Sequence, residues 1–224
     1  MNDKESLVQE PQAEYAVTGD IPSALKQGQA KPNPFTEKRK FTYADFLNWP
    51  DDIRAEIIYG VAYIMNTPAI NHQRISGRLF LKLANFLEGK TCEVFTAPVG
   101  VRPFPKEDKS DDTVVIPDII VVCDPEKLDD YSCNGAPDLI IEILSPSTRR
   151  KDRHLKRELY QKAGVREYWI VSPNDNEIEV YLFGDNLCKI YGVNDPETSE
   201  DSMVPEIIPV FVLPGLAIDV KDIF

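Results

Sequence analysis

The chain predicts an α/β or α+β architecture, with helices flanking a mixed β-sheet, on three observations. Segments whose apolar residues fall at helical spacing alternate with short β-like runs. Residues 138–144, Asp138-Leu139-Ile140-Ile141-Glu142-Ile143-Leu144, are nearly all apolar, as in a strand at the middle of a sheet covered on both faces. A basic helical segment follows that strand, and two more strand-like runs follow the helix.

The elements follow in order. Residues 1–38 are polar, carry scattered prolines (Pro11, Pro22, Pro32, Pro34) and show no period, so a flexible N-terminal arm is expected. Residues 39–224 are expected to form a single domain, with structure beginning near Phe41. Thr42 is positioned to cap a short helix through Tyr43-Ala44-Asp45-Phe46-Leu47. Residues 54–65 read as two short strands around Gly60. Asn71 is expected to cap a helix running to about Glu88. Ile75, Leu79, Leu83, Phe86 and Leu87 supply its apolar stripe, and Gly89 ends it.

Residues 93–101 and 114–122 read as strands joined by a long acidic loop with two prolines, which suggests a hairpin with an extended tip. After the strand at 138–144, a helix is expected from about Arg149 to Ala163, stopped by Gly164. Tyr168-Trp169-Ile170-Val171 and residues 178–183 read as strands, with Pro173-Asn174-Asp175-Asn176 as the turn between them. Residues 184–206 read as acidic and irregular. Residues 207–218 read as a last strand or an edge covering.

Composition narrows the classes. Of the 224 residues, 42% are hydrophobic and 28% charged, which is ordinary for a globular chain. No apolar stretch approaches the roughly 20 residues needed to cross a bilayer. The start, Met1-Asn2-Asp3-Lys4-Glu5, lacks the basic and apolar regions of a signal peptide, which favours the cytoplasm. The four cysteines, Cys92, Cys123, Cys133 and Cys188, form no Cys-x-x-Cys pair, so a zinc site is not expected. Cys92, Cys123 and Cys188 lie in or beside apolar segments and read as buried thiols.

The formal charge of -12 argues against tight, non-specific binding to nucleic acid through the whole surface. A local basic cluster nevertheless stands at Arg149, Arg150, Lys151, Arg153, Lys156 and Arg157, with the excess acid elsewhere.

The chemistry is carried by two carboxylates. Asp118 lies within the apolar run 114–122, and Glu142 lies within 138–144. A carboxylate in an apolar strand is costly to bury unless a cation or strong hydrogen bonds compensate it. Alternation puts Ile141 and Ile143 on one face and Ile140, Glu142 and Leu144 on the other. Two such carboxylates and a nearby lysine are what a magnesium-dependent phosphodiesterase uses. Blander readings stand beside this one. Asp118 also suits a turn cap, Glu142 a buried ion pair with an arginine, and Lys156 a surface pair with Asp152 four residues before it. Lys156 also borders the stripe Leu155, Leu159 and Ala163, from which its stem reaches a cleft; Lys151 competes with it. Glu56 also fits a solvated strand start, and His72 a capping or surface place in the first turn of its helix. His154 reads as exposed, and Asp138 as the beginning of its strand.

Taken together, several segments resemble the Uma-two family of restriction-endonuclease-like proteins, within the PD-(D/E)xK nuclease fold. They are Pro117-Asp118, Glu142, Ser145-Pro146-Ser147-Thr148, Asp152, Lys156, Tyr160 and Gly164-Val165-Arg166-Glu167-Tyr168-Trp169. Upstream, Glu56-Ile57-Ile58-Tyr59-Gly60 and His72-Gln73-Arg74-Ile75 also match. The resemblance covers about Phe41 to Phe183, and extends more loosely from there to the end. The chain departs from the broad nuclease pattern at one position. Leu144 stands two residues after the strand carboxylate, where a lysine is expected, and the resemblance moves that role to Lys156.

The resemblance implies a restriction-endonuclease-like mixed sheet flanked by helices, and a metal-dependent endonuclease that hydrolyses phosphodiester bonds. Asp118, Glu142 and the Ile143 backbone carbonyl would hold Mg²⁺ or Mn²⁺, with Lys156 as the catalytic lysine. Glu56, His72 and Asp152 are candidate additions to the site. Arg149, Arg150, Lys151 and Arg153 would meet backbone phosphates of a nucleic acid, DNA before RNA. No membrane partner is implied, and analogy with nucleases that cut both strands allows a homodimer. The alternative is a nuclease-fold module, weak or inactive in catalysis, that binds nucleic acid or a protein partner. The acid charge and the displaced lysine favour that alternative.

Overall fold

The computed structural model describes residues 39–50, 52–194 and 203–224. The arm expected over residues 1–38 lies outside the described residues. A six-stranded mixed sheet organises the rest. Its strands are β3 (Glu93–Thr96), β5 (Ile119–Val122), β7 (Leu139–Ile143), β8 (Glu167–Ser172), β9 (Glu177–Leu182) and β10 (Leu187–Gly192), and their spatial order is β10-β9-β8-β7-β5-β3. The pair β7·β8 is parallel, and the other neighbours are antiparallel. The parallel pair requires a crossover, and the helical segment between the two strands supplies it.

Two layers cover this sheet, so β7 is buried at every residue. On one face lies α2 (Ile70–Leu87). Its Ile75, Leu79, Leu83 and Leu87 pack on Ile119, Val121, Leu139, Ile141 and Ile143. A C-terminal hairpin, β11 (Ile207–Pro209) with β12 (Ala217–Asp219), joins the same core through Ile208 and Ile218. On the other face lies α3 (Arg157–Ala163), whose Leu159 and Tyr160 pack on Ile120, Val122, Ile140, Leu144, Tyr168 and Ile170. The alternation expected in residues 138–144 is therefore the observed one.

Short elements complete that second face. The chain opens with α1 (Tyr43–Phe46), where Thr42 and Asp45 form a capping box. β1 (Ala55–Ile58) and β2 (Val61–Ile64) form a hairpin through Tyr59 and Gly60, both at positive φ, as a type I′ turn demands. β4 (Gly100–Arg102) pairs in parallel with β6 (Ser132–Asn134).

Several expectations need correction. The helix α2 starts at Ile70 with Ala69 as its cap residue. Asn71 caps nothing and instead accepts a bond from Arg74. The runs 93–101 and 114–122 do not form one long hairpin. Only β3 and β5 pair, Val101 turns away into β4, and Val114 and Val115 bridge singly to Ile57 and Val101. Pro98 and Pro117 explain the break, because neither has an N–H to continue a ladder. Within the segment read as irregular, residues 187–192 form the edge strand β10, while residues 195–202 lie outside the described residues. Its first four residues are exposed, so burial leaves little apolar pattern to read.

The cysteines differ too. Cys92 and Cys123 are joined in a disulfide, because the Glu93–Val122 pairing sets the two residues beside each other at the ends of β3 and β5. Cys188 is exposed, and Cys133 is the buried thiol. Among the described residues, no helix is long and apolar enough to cross a membrane.

A candidate active site where β5 begins and β7 ends

Antiparallel pairing places the start of β5 beside the end of β7. Asp118, just before β5, thereby meets the end of β7, and its Oδ2 accepts the Ile143 N–H at 2.7 Å. The same Oδ2 stands 3.2 Å from His72 Nε2, in the first turn of α2. Against its burial, the hydrogen bond and charge of Asp118, with the Ile143 carbonyl, hold His72 above the ordinary histidine range.

Glu142 faces the opposite helix layer and is 4% exposed. Its Oε1 accepts hydrogen bonds from Lys156 Nζ at 2.9 Å and from Tyr160 Oη at 2.7 Å. Lys156 also lies 2.9 Å from Glu56 Oε2 and 3.8 Å from Asp152 Oδ1. Lys151 pairs with the other oxygen of Glu56. Lys156 is thus no surface partner of Asp152: both are buried, and its ammonium is shared by three carboxylates from three elements. Glu56 is likewise buried rather than solvated, because β1 packs under this cluster.

Local helix geometry makes this convergence. Residues Lys151–Lys156 form a π-helical stretch that runs into α3. Its i→i+5 bonding widens the turn, so residues four apart come closer to alignment than in an α-helix, and such stretches gather at functional sites. Asp152, Lys156 and Tyr160 consequently face the site, and Leu155 is only partly buried. Tyr168 of β8 secures the stretch by donating to the Asp152 carbonyl at 3.1 Å. Gly164, in the left-handed region at φ 90, closes α3.

The electrostatics follow from burial. Desolvation pushes Glu142 up to about 8 even with Lys156 beside it, and the nearby Asp152, Asp118 and Glu56 add to the rise. Burial also raises Asp152. Glu56 moves the other way: against its burial, the Lys156 and Lys151 ammonium groups hold its carboxyl below the usual range. Lys156 itself is held well above the ordinary lysine range by the three carboxylates, against its own burial.

A carboxyl raised on folding favours stability while it is protonated, and that contribution is lost as pH rises from the unfolded value through about 8. Metal-free wild type should therefore lose urea resistance relative to Glu142→Gln between pH 5 and pH 9. A difference that does not change across that range would remove the buried, protonated Glu142 from the description.

The predicted site residues fall into two groups. Asp118 meets Ile143 and His72 where β5 begins, and Lys156 gathers Glu142, Glu56 and Asp152 where β7 ends, near enough that the Asp118 charge helps to raise Glu142. The basic cluster largely does not join them. Arg153 is held by Glu179 and Ser172, Arg149 pairs in solvent with Asp175, and Lys151 is spent on Glu56. Asp138 stays outside, accepting from Cys123 N and Arg166, and His154 is exposed. Tyr160 is the hydrogen-bond partner of Glu142 that sequence reasoning left without a role. Its place four residues after Lys156 was the available signal.

Carboxylate and backbone carbonyl oxygens are the donors that a hard divalent cation takes. The bonds described engage Oδ2 of Asp118 and Oε1 of Glu142, which leaves Oδ1 and Oε2 outside them. Glu56 Oε2 and Asp152 Oδ1 are buried without a hydrogen-bond donor in bonding geometry. Among the described residues, no group of three or more His, Cys, Asp or Glu side chains is arranged to enclose a metal. Magnesium needs no such cage, since it takes one or two carboxylates and keeps several waters.

A mixed sheet with its acidic pair at the junction of two central strands, and its lysine on the crossover helix, is a restriction-endonuclease-like nuclease fold. The chain belongs to the Uma2 family, described as "Putative restriction endonuclease", which matches residues 43–218. It is 30% identical over 150 residues to the "Uncharacterized protein slr1290" of Synechocystis sp., covering 66% of this chain and 76% of that protein. Its fold is also similar to the crystal structure of a "putative nuclease belonging to DUF820" from Anabaena variabilis. There the TM-score is 0.64 at 20% identity, over 82% of this chain and 97% of that one.

Proposed function

We propose that this protein is a divalent-metal-dependent nuclease that hydrolyses phosphodiester bonds in nucleic acid, with DNA as the first substrate to test. The single observation that carries the reading is the β5–β7 register, which sets Asp118, just before β5, beside the end of β7 that carries Glu142, with each carboxylate bonded through one oxygen. Asp118, Glu142 and the Ile143 carbonyl would hold Mg²⁺ or Mn²⁺. When bound, such a cation polarises a phosphate and lowers the pKa of a water.

The chain's own residues do the rest. Ile143 N–H and His72 fix the Asp118 carboxylate, and Tyr160 and Lys156 fix Glu142. Lys156 stays protonated and offsets the buried acids, and its charge stabilises negative charge developing on a phosphate beside Glu142. Arg149 and Arg150, at the exposed start of the helix, meet the backbone phosphates. The exposed Arg149–Asp175 pair is weak enough to exchange for one.

The test is cleavage of plasmid, single-stranded DNA and RNA with Mg²⁺ or Mn²⁺, with and without EDTA, beside Glu142→Gln. Cleavage is expected only with metal and only by wild type. Wild type that cuts none of these with either metal would move the reading to a binding module.

A further inference from the structure

A groove of about 200 Å³ opens directly beside Asp118. One wall is α2, through Gln73, Ser76, Gly77 and Phe80, and the other is Thr96 and Ala97. The second wall is tied to the site, because Ala97 N–H donates to the Asp118 carbonyl at 3.0 Å. A ligand seated here would therefore lie against Asp118, the residue assigned to the cation.

Gly77 is the informative residue. It stands in the interior of an 18-residue helix, where glycine is the worst former after proline. Nothing in the fold requires it. A Cβ built on Gly77 meets no atom within 4 Å, and its φ is not in the left-handed region. The helix thus carries an unfavourable residue where packing would accept a better one, on the wall of the groove. The other groups in that wall suit a planar, hydrogen-bonding ligand. Phe80, partly buried against the core, also lines the groove, and Gln73, Ser76 and Thr96 are the polar residues of its walls. Gln73 is exposed on that wall. The volume lies below the roughly 300 Å³ at which pockets enclose drug-sized ligands, so it takes one ring system, not a base pair.

We infer that this groove seats one unstacked nucleotide adjacent to the scissile phosphate, so that the substrate is a strand that is single or locally opened at the cut. The inference rests on the nuclease reading of Asp118. Aromatic contact with the base face and an amide at its edge are the means by which proteins hold unstacked bases.

The test uses the full chain and a fluorescein-labelled oligonucleotide, single-stranded or in duplex, read by anisotropy and by cleavage. Gly77→Ala should raise Tm by about 2–4 °C, as a better helix former does. It should also weaken single-strand binding. Gly77→Leu, which fills the groove from an exposed helix position, should weaken it at least about tenfold with Tm not lowered. Gln73→Ala should leave Tm unchanged and flatten any preference among the four homopolymers. Unchanged binding and cleavage by Gly77→Leu, in a protein whose wild type cuts, would overturn the groove and leave the nuclease reading standing. Tighter binding and faster cutting of intact duplex than of single strand would overturn it as well. A wild type that neither binds nor cuts any strand would overturn both.

Discussion

Lys156→Met is expected to destabilise the fold by about 3–5 kcal/mol at pH 8, the scale on which removal of one partner from a buried ion pair acts. Lys156 stands within 2.9 Å of both Glu56 and Glu142 and 3.8 Å from Asp152, and all four groups are buried. Methionine keeps the stem and deletes the charge, leaving Lys151 to hold Glu56 alone. The remaining carboxylates are relieved only by taking up protons. Burial has already raised Glu142 and Asp152, so the loss should be smaller at pH 5.5 than at pH 8. Urea unfolding at the two pH values measures this. A loss under about 1 kcal/mol at pH 8 would mean that the amine does not hold the cluster together. The same burial affects the cleavage assay: loss of turnover in this variant reports the fold as well as the chemistry.

Asp118→Asn should separate chemistry from stability. The amide oxygen can still accept the Ile143 N–H, so urea resistance should change by no more than about 1 kcal/mol. Loss of the charge should remove most of the affinity for Mg²⁺ and slow cleavage by about 10³-fold. That factor corresponds to roughly 4 kcal/mol, at about 1.4 kcal/mol per tenfold. A second readout needs no turnover. The Asp118 carboxylate raises His72, so the variant should lower the His72 titration midpoint. The chain has two histidines, which makes proton NMR readable. Calorimetric Mg²⁺ binding equal to wild type, or an unmoved His72, would remove Asp118 from the proposed centre.

Much of this arrangement was legible in order along the chain. Local periodicity gave α2, β7 and β8, because each buries a continuous apolar stripe or both its faces. Glu142 stood out because it shares a strand face with Ile140 and Leu144, where a carboxylate needs compensation. Elements held by pairing rather than by burial were not legible. β10 exposes its first four residues and exists through its ladder with β9, and β4 finds β6 about thirty residues away. The Cys92–Cys123 bond likewise depends on the β3–β5 register, which no cysteine spacing encodes.

The sequence by itself determined the class of fold, the two strand carboxylates and the lysine on the following helix. Their residue types and local patterns are already unusual before any contact is made. Only the tertiary structure decided that Lys156 is buried among Glu56, Glu142 and Asp152 rather than paired in solvent, and that His72 reaches Asp118. It also decided that most of the basic cluster is answered by acids. The reason is physical. Charge environment depends on which distant segments the sheet register and the π-helical turn bring within a few ångströms, and Coulomb interaction and desolvation act over those distances, not along the chain.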